Sequence, residues 1–120
     1  MIDKRGHICL TNFKFSKENM KKEDKTDERV GTAMYLSPEM IKGEEYGLEV
    51  DWWAFGIILF QLINGFHPFF SHDVQNLFHR IVYSQLVVPD VLPYYTHSFL
   101  KRLLEKDPNK RITVKKKKIL

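Results

Sequence analysis

Five histidines, His7, His67, His72, His79 and His97, and one cysteine, Cys9, are the side chains here best suited to metal binding or nucleophilic attack. No two histidines are spaced as H-x-x-x-H and no second cysteine accompanies Cys9, so the spacing offers no zinc site. No serine–histidine–aspartate arrangement follows from spacing either. Cys9 lies between Ile8 and Leu10 and reads as a buried, inert thiol. Asn12-Phe13-Lys14 reads as a strand passing into a loop, with Phe13 in the core. Asp51 opens an apolar run, where a helix dipole favours a negative charge. Trp52 and Trp53 beside it read as core or helix-packing residues, not as a ligand cage.

These groups need a frame, and composition allows one small domain. The chain has 120 residues, 43% apolar and 28% charged, with a formal net charge of +4. That is ordinary globular composition and argues against wholesale disorder. A single cysteine excludes an internal disulfide and points to a reducing compartment. The first seven residues hold no apolar run of the secretory type. The run from Trp52 to Phe60, continued by Leu62 and Ile63, is shorter than the roughly 20 residues a bilayer span needs. No ordered basic face for nucleic acid is visible. Lysines cluster at Lys17–Lys25, interrupted by acids, and at Lys115–Lys118, a basic tail over 114–120. We therefore expect a cytoplasmic protein without nucleic-acid or membrane partners, with the tail as an alternative nuclear signal.

Local patterns predict the elements. Residues 6–16 alternate partly at period two, which suggests one strand and a second short one, with no partner visible upstream. Residues 17–30 are nearly all polar and read as a solvated, mobile loop. Ser37-Pro38-Glu39 opens a short helix, with Ser37 as N-cap and Gly43 as its end. Residues 50–64 are apolar nearly all round, so this helix should be central to the core. Gly56 inside it costs about 1 kcal/mol against alanine, which implies close packing there. A helix over 71–84 starts at Ser71 or Asp73, and another over 96–106 starts at Thr96 and ends at Asp107-Pro108.

Three ordered stretches are more specific: residues 6–14 (GHICLTNFK), residues 31–39 (GTAMYLSPE) and residues 50–56 (VDWWAFG). Their order and spacing resemble the eukaryotic serine/threonine protein kinases. The Val-Asp-Trp-Trp run and residues 103–111 (LLEKDPNKR) resemble the AGC group, which contains the cyclic-AMP-dependent and C-type kinases. The resemblance implies a mainly α, kinase-like C-terminal lobe fragment with one or two short N-terminal β-strands, over residues 1–113. It runs from the strand before the Asp-Phe-Gly position to just after the 96–106 helix. In family terms the ATP-binding lobe and the catalytic loop fall outside the chain.

The same resemblance assigns residues. The activation segment is 12–39. Asn12 stands where the family's Asp binds magnesium through a charged carboxylate, which a hard dication prefers to a neutral amide. Lys14 stands where the family has glycine. Glu28 occupies a position that AGC kinases give to a phosphorylatable threonine, and it reads as a fixed negative charge or a solvated loop residue. Thr26 and Thr32 are hydroxyl candidates; Thr32 matches a residue that meets the catalytic Asp and Lys. Ala33, Met34 and Tyr35 form the substrate-facing loop, and Gln61 stands where many basic-directed members have Glu. Glu39 resembles the Glu of Ala-Pro-Glu, and Arg111 its buried partner. Asp51 resembles the carboxylate that meets the catalytic-loop backbone.

Intact family members use Mg-ATP, but no cofactor is expected for this chain alone. The expected function is a degenerate, truncated kinase-like domain that binds protein, its partner being a missing kinase half, another kinase or a substrate. The exposed flank where the family's N-terminal lobe would sit and the 71–84 helix are the expected surfaces. The alternative is the C-terminal part of an AGC kinase that transfers phosphate from ATP to protein serine or threonine.

Overall fold

The computed structural model describes residues 1–113, so the basic tail expected at 114–120 lies outside the described residues. Four α-helices follow one another: α1 (Pro38–Lys42), α2 (Glu49–Asn64), α3 (Val74–Tyr83) and α4 (Tyr94–Leu103). Two 3-10 turns precede them, at Phe13–Phe15 and Ala33–Tyr35. The mainly helical expectation is borne out.

α1 forms for local reasons. Ser37 Oγ accepts from the Met40 amide at 3.5 Å, and Pro38 supplies a preset first helical residue. Gly43 closes the helix in the left-handed region (φ 73°), with its amide on the Met40 carbonyl and the Glu44 amide on that of Glu39. α3 is capped as expected by Asp73, whose carboxylate accepts from the Asn76 amide at 2.8 Å. Its C-terminal carbonyls, those of Arg80 and Ile81, accept from Lys106 Nζ at 3.2 and 2.6 Å. α4 starts two residues before the expected cap. Pro93, not Thr96, holds the N-cap position, and the helix ends at Leu103. Proline fixes φ near its helical value and lends its carbonyl to the His97 amide, so no side-chain cap is needed to start the turn.

The core gathers around α2. Trp53, Ile57 and Phe60 are fully buried against Phe69, Leu77, Ile81, Leu100 and Leu104. A smaller cluster of Leu36, Met40 and Tyr46 lies under α1. Gly56 is where α2 meets the end of α4: a β-carbon there would lie 2.9 Å from Leu103 Cβ and 2.9 Å from Leu104 Cδ2. α2 is not buried all round, however. Phe55, Ile58, Leu62 and Ile63 remain 44%, 45%, 78% and 39% exposed, so one apolar face of the helix is open.

The N-terminal segment also differs from expectation. In place of extended strands it forms one antiparallel bridge, Ile2 to Ile8, so the partner does lie upstream. The turn between them is set by the Asp3 carboxylate, which accepts from the Arg5 and His7 amides at 2.8 Å each. Ile8 and Leu10 are both 84% exposed, and Cys9 is half-buried, not enclosed. Phe13 is 65% exposed and no part of the core. The polar segment 17–30 is tied down. Thr26 and Tyr46 form an antiparallel bridge, with both amide-to-carbonyl bonds at 2.8 Å. The Tyr46 hydroxyl donates to the Glu28 carbonyl, and Lys25 pairs with Glu49. Arg29 donates through Nε and Nη2 to the Met40 and Ile41 carbonyls at the end of α1. Polar composition hid this tie because its apolar partner, Tyr46, lies beyond α1 in sequence.

The contact at Gly56 gives a first prediction. Gly56→Ala should destabilise the chain by about 1–3 kcal/mol through overpacking, despite alanine's better helix propensity. Urea unfolding followed by tryptophan fluorescence measures it; an unchanged or raised midpoint contradicts the close approach.

Candidate functional site

Arg111 makes five side-chain hydrogen bonds. Glu39, in the first turn of α1, and Arg111, in the turn after α4, are 1% and 4% exposed. Arg111 Nη1 donates to Glu39 Oε1 at 2.6 Å and Nη2 to Oε2 at 2.9 Å, a parallel two-point contact. The remaining donors reach carbonyls: Nε to Glu105 at 2.8 Å, Nη1 to Glu49 at 3.1 Å and Nη2 to Lys106 at 3.3 Å. All the N–H donors of a guanidinium are thereby engaged. The guanidinium also lies 5.2 Å from the centre of the Trp53 ring, which stacks on Phe69. The Trp53 ring nitrogen is buried without a hydrogen-bond partner among the described residues. The structure thus brings together two charges far apart in sequence and joins the first turn of α1 to the turn after α4.

The loop just before α1 is shaped by its own backbone. Gly31 adopts φ 117°, and Leu36 Cδ2 lies 3.4 Å from where a β-carbon would stand. The Tyr35 amide then bonds to the Thr32 carbonyl at 3.0 Å, closing the Ala33–Tyr35 turn. Ala33, Met34 and Tyr35 are half-buried and pack on the α2 core. Thr32 is exposed, and neither it nor the half-exposed Gln61 makes a side-chain hydrogen bond among the described residues. A residue that sequence reasoning passed over holds this loop: His67, 5% exposed, bonds to the Met34 carbonyl through Nε2 at 2.8 Å. Only its apolar surroundings, Phe66, Pro68 and Phe69, could have flagged it as a buried polar group in need of partners.

The remaining candidate residues lie in the open. Glu28 is exposed and pairs with Lys17 at 2.9 Å; Lys17 Nζ also reaches Thr26 Oγ1 at 3.0 Å. Asp51 is exposed, without a side-chain hydrogen bond among the described residues, and partial desolvation at the start of α2 pushes its carboxyl pKa upward. Burial works against the Glu49 carboxylate, but the bonds from Lys25 and the Gly47 amide outweigh it and lower its pKa. Asn12 is exposed in the left-handed region (φ 60°, ψ 58°), a conformation asparagine tolerates better than most residues. Lys14, two residues on, lies 5.3 Å from the Phe15 ring centre.

The donor set around Asn12 does not fit a magnesium ion. The side chain that the resemblance assigns to the ion is a neutral amide, and the cationic Lys14 follows two residues later. Among the described residues, no three His, Cys, Asp or Glu side chains gather as a metal site. No described helix is long and apolar enough to cross a membrane.

The mainly helical lobe and its order of motifs point to one class, and comparison with known proteins agrees. The protein kinase domain family matches residues 1–118. The chain is 40% identical over 113 residues to the RAC family serine/threonine-protein kinase homolog of Dictyostelium discoideum, covering 93% of this chain and 26% of that protein. It is 38% identical over 112 residues to serine/threonine-protein kinase YPK1 of Saccharomyces cerevisiae, covering 93% of this chain and 16% of that protein. It is 36% identical over 112 residues to human serine/threonine-protein kinase Sgk2, covering 93% of this chain and 30% of that protein. The chain belongs to the protein kinase domain family and is a fragment of that domain, as its resemblance to AGC-type serine/threonine kinases implied. It spans less than a third of the length of these relatives.

The ion pair yields the prediction of this section. Glu39→Ala and Arg111→Ala should each cost about 3–5 kcal/mol, because each leaves a buried charge without its partner. Denaturant midpoints report the loss; midpoints unchanged in both variants would show that the pair carries no stability.

Proposed function

We propose that this chain supplies the activation segment and helical platform of a serine/threonine-kinase-like protein, and that it works as a protein-binding lobe without a magnesium site of its own. The observation that carries this reading is Asn12. Where the resemblance calls for a carboxylate on magnesium, this side chain is neutral, exposed and followed by Lys14. A hard dication gains little from one amide oxygen next to a positive charge. The partner of this lobe is the remainder of a kinase domain, and the open face of α2 supports that choice. Phe55, Ile58, Leu62 and Ile63 expose apolar surface along one side of the most apolar helix, and contiguous apolar exposure of this kind marks an interface.

A second reading makes the chain the C-terminal part of a kinase that transfers phosphate from ATP to protein serine or threonine. The shaped 33–35 turn favours it, since the resemblance makes that turn the loop that faces a substrate.

Thermal unfolding of the full chain with and without Mg-ATP tests the absence of a magnesium-nucleotide site of its own. Under the binding-lobe reading millimolar Mg-ATP leaves the midpoint unmoved. A ligand at a hundredfold above its Kd would add about 2.7 kcal/mol, so a clear rise overturns it. For the open face, replacing Ile58 and Leu62 together by glutamate should reduce binding of an apolar dye. It should change stability by no more than about 0.5 kcal/mol per site, as expected of surface substitutions. Undiminished dye binding places the exposed apolar surface elsewhere.

A further inference from the structure

His67 is a buried titratable group that the reading above leaves unused. It stands in the turn after α2, and both ring nitrogens are engaged. The Phe69 amide donates to Nδ1 at 3.0 Å, so Nδ1 must carry a lone pair. The ring proton therefore sits on Nε2 and points at the Met34 carbonyl, 2.8 Å away. The ring meets Phe69 edge-on, with centres 6.4 Å apart, and Phe69 stacks on Trp53 with centres 6.0 Å apart and planes 8° apart. His67 is thus fixed to the core on one side and holds the middle residue of the 33–35 turn on the other.

We propose that His67 is the positioning residue of the 33–35 turn, and that protonation of its ring releases that turn from the core. The imidazolium form would carry a hydrogen on both nitrogens. Nδ1–H would then face the Phe69 N–H, two donors in one contact, and a charge would sit in a buried site. Burial lowers the ring's pKa from its ordinary 6.5, and the bond to the Met34 carbonyl opposes that shift. No charged side chain from the 33–35 turn, from α2 or from α3 contributes to that titration. A histidine with a depressed pKa contributes stability that is fully present above its unfolded-state value and is lost as pH falls through the folded one. The device therefore holds at neutral pH and opens in mild acid. Its importance for substrate or partner binding rests on the reading of 33–35 as the substrate-facing loop; the device itself does not.

The test uses the full chain. Nitrogen-15 NMR of the histidine rings should show one ring protonated at Nε2 alone at pH 7.5, with its titration below the ordinary histidine value of 6.5. Hydrogen exchange, corrected for intrinsic rates, should show the amides of residues 33–36 losing protection about fivefold between pH 7.5 and 5.5, the weight of one hydrogen bond. The amides of α2 should hold over the same range. His67→Gln keeps a donor within reach of Met34 but does not titrate, so its 33–36 amides should stay protected at both pH values. Protection of these amides that ignores pH in the parent chain overturns the proposal, as does the same pH response in His67→Gln. Loop protection is independent of phosphoryl transfer, so this failure would leave the family reading standing, and a nucleotide response in the preceding experiment would leave this proposal standing.

Discussion

A carboxylate and a guanidinium taken out of water together set the constraint on which the rest of this lobe depends. Removing two charges from solvent costs several kcal/mol per ion, and their attraction offsets this only when the geometry is good and every leftover donor is bonded. Arg111 meets that condition through two oxygens of Glu39 and the carbonyls of Glu105, Glu49 and Lys106. Those partners come from the first turn of α1, the start of α2 and the turn after α4. One side chain therefore fixes the relative positions of three segments. The turn after α4 can take no other course, because the amides of Lys110 and Arg111 both close on the Asp107 carbonyl at 3.0 Å.

The 33–36 loop inherits its position from that pair. Its C-terminal end runs into Ser37 and Pro38, both buried, and so into α1 and Glu39. Its middle is held by His67, in the turn after α2. Two anchors with different chemistry thus bracket a loop whose backbone bonds would not fix it alone. One is a buried ion pair. The other is a neutral imidazole that mild acid can disable. Further upstream, Arg29 and the Thr26–Tyr46 bridge lead the chain along α1, so the segment from 26 onward follows the helical frame at every step.

Legibility followed range. Ser37, Gly43 and Asp73 act within four residues of themselves, and local capping rules found all three. Gly56 was readable because an unfavourable residue in an apolar helix requires a compensating close contact. The central helix was legible as an element, but its open face was not, since apolar periodicity says which residues seek burial and not whether a partner arrives. The start of α4 was misplaced because a proline cap leaves no side-chain signature of the Ser/Thr type. The tie at 17–30 and the role of His67 were hidden for a common reason: each depends on a partner more than fifteen residues away, Tyr46 for Thr26 and Met34 for His67. Glu39 and Arg111 came to notice through family resemblance, since no local rule pairs residues at such a separation.

Frame and chemistry are under unequal physical pressure in this chain. Losing one member of a buried, fully bonded ion pair costs about 3–5 kcal/mol, a large part of the 5–15 kcal/mol that a domain has in total. Changing an exposed side chain with no partner alters stability by about 0.5 kcal/mol or less. Thr32 is exposed without a side-chain hydrogen bond among the described residues, Glu28 makes an exposed pair with Lys17, and at Asn12 folding asks only for a residue that tolerates the left-handed backbone. Glu39, Arg111 and His67 are enclosed, and folding depends on them whether or not any phosphate is moved. An intact Glu39–Arg111 tie is therefore evidence of a kinase-like fold and no evidence of kinase activity. Activity has to be argued at the exposed positions, where stability exerts little demand. At position 12, which the resemblance assigns to magnesium, this chain carries an amide.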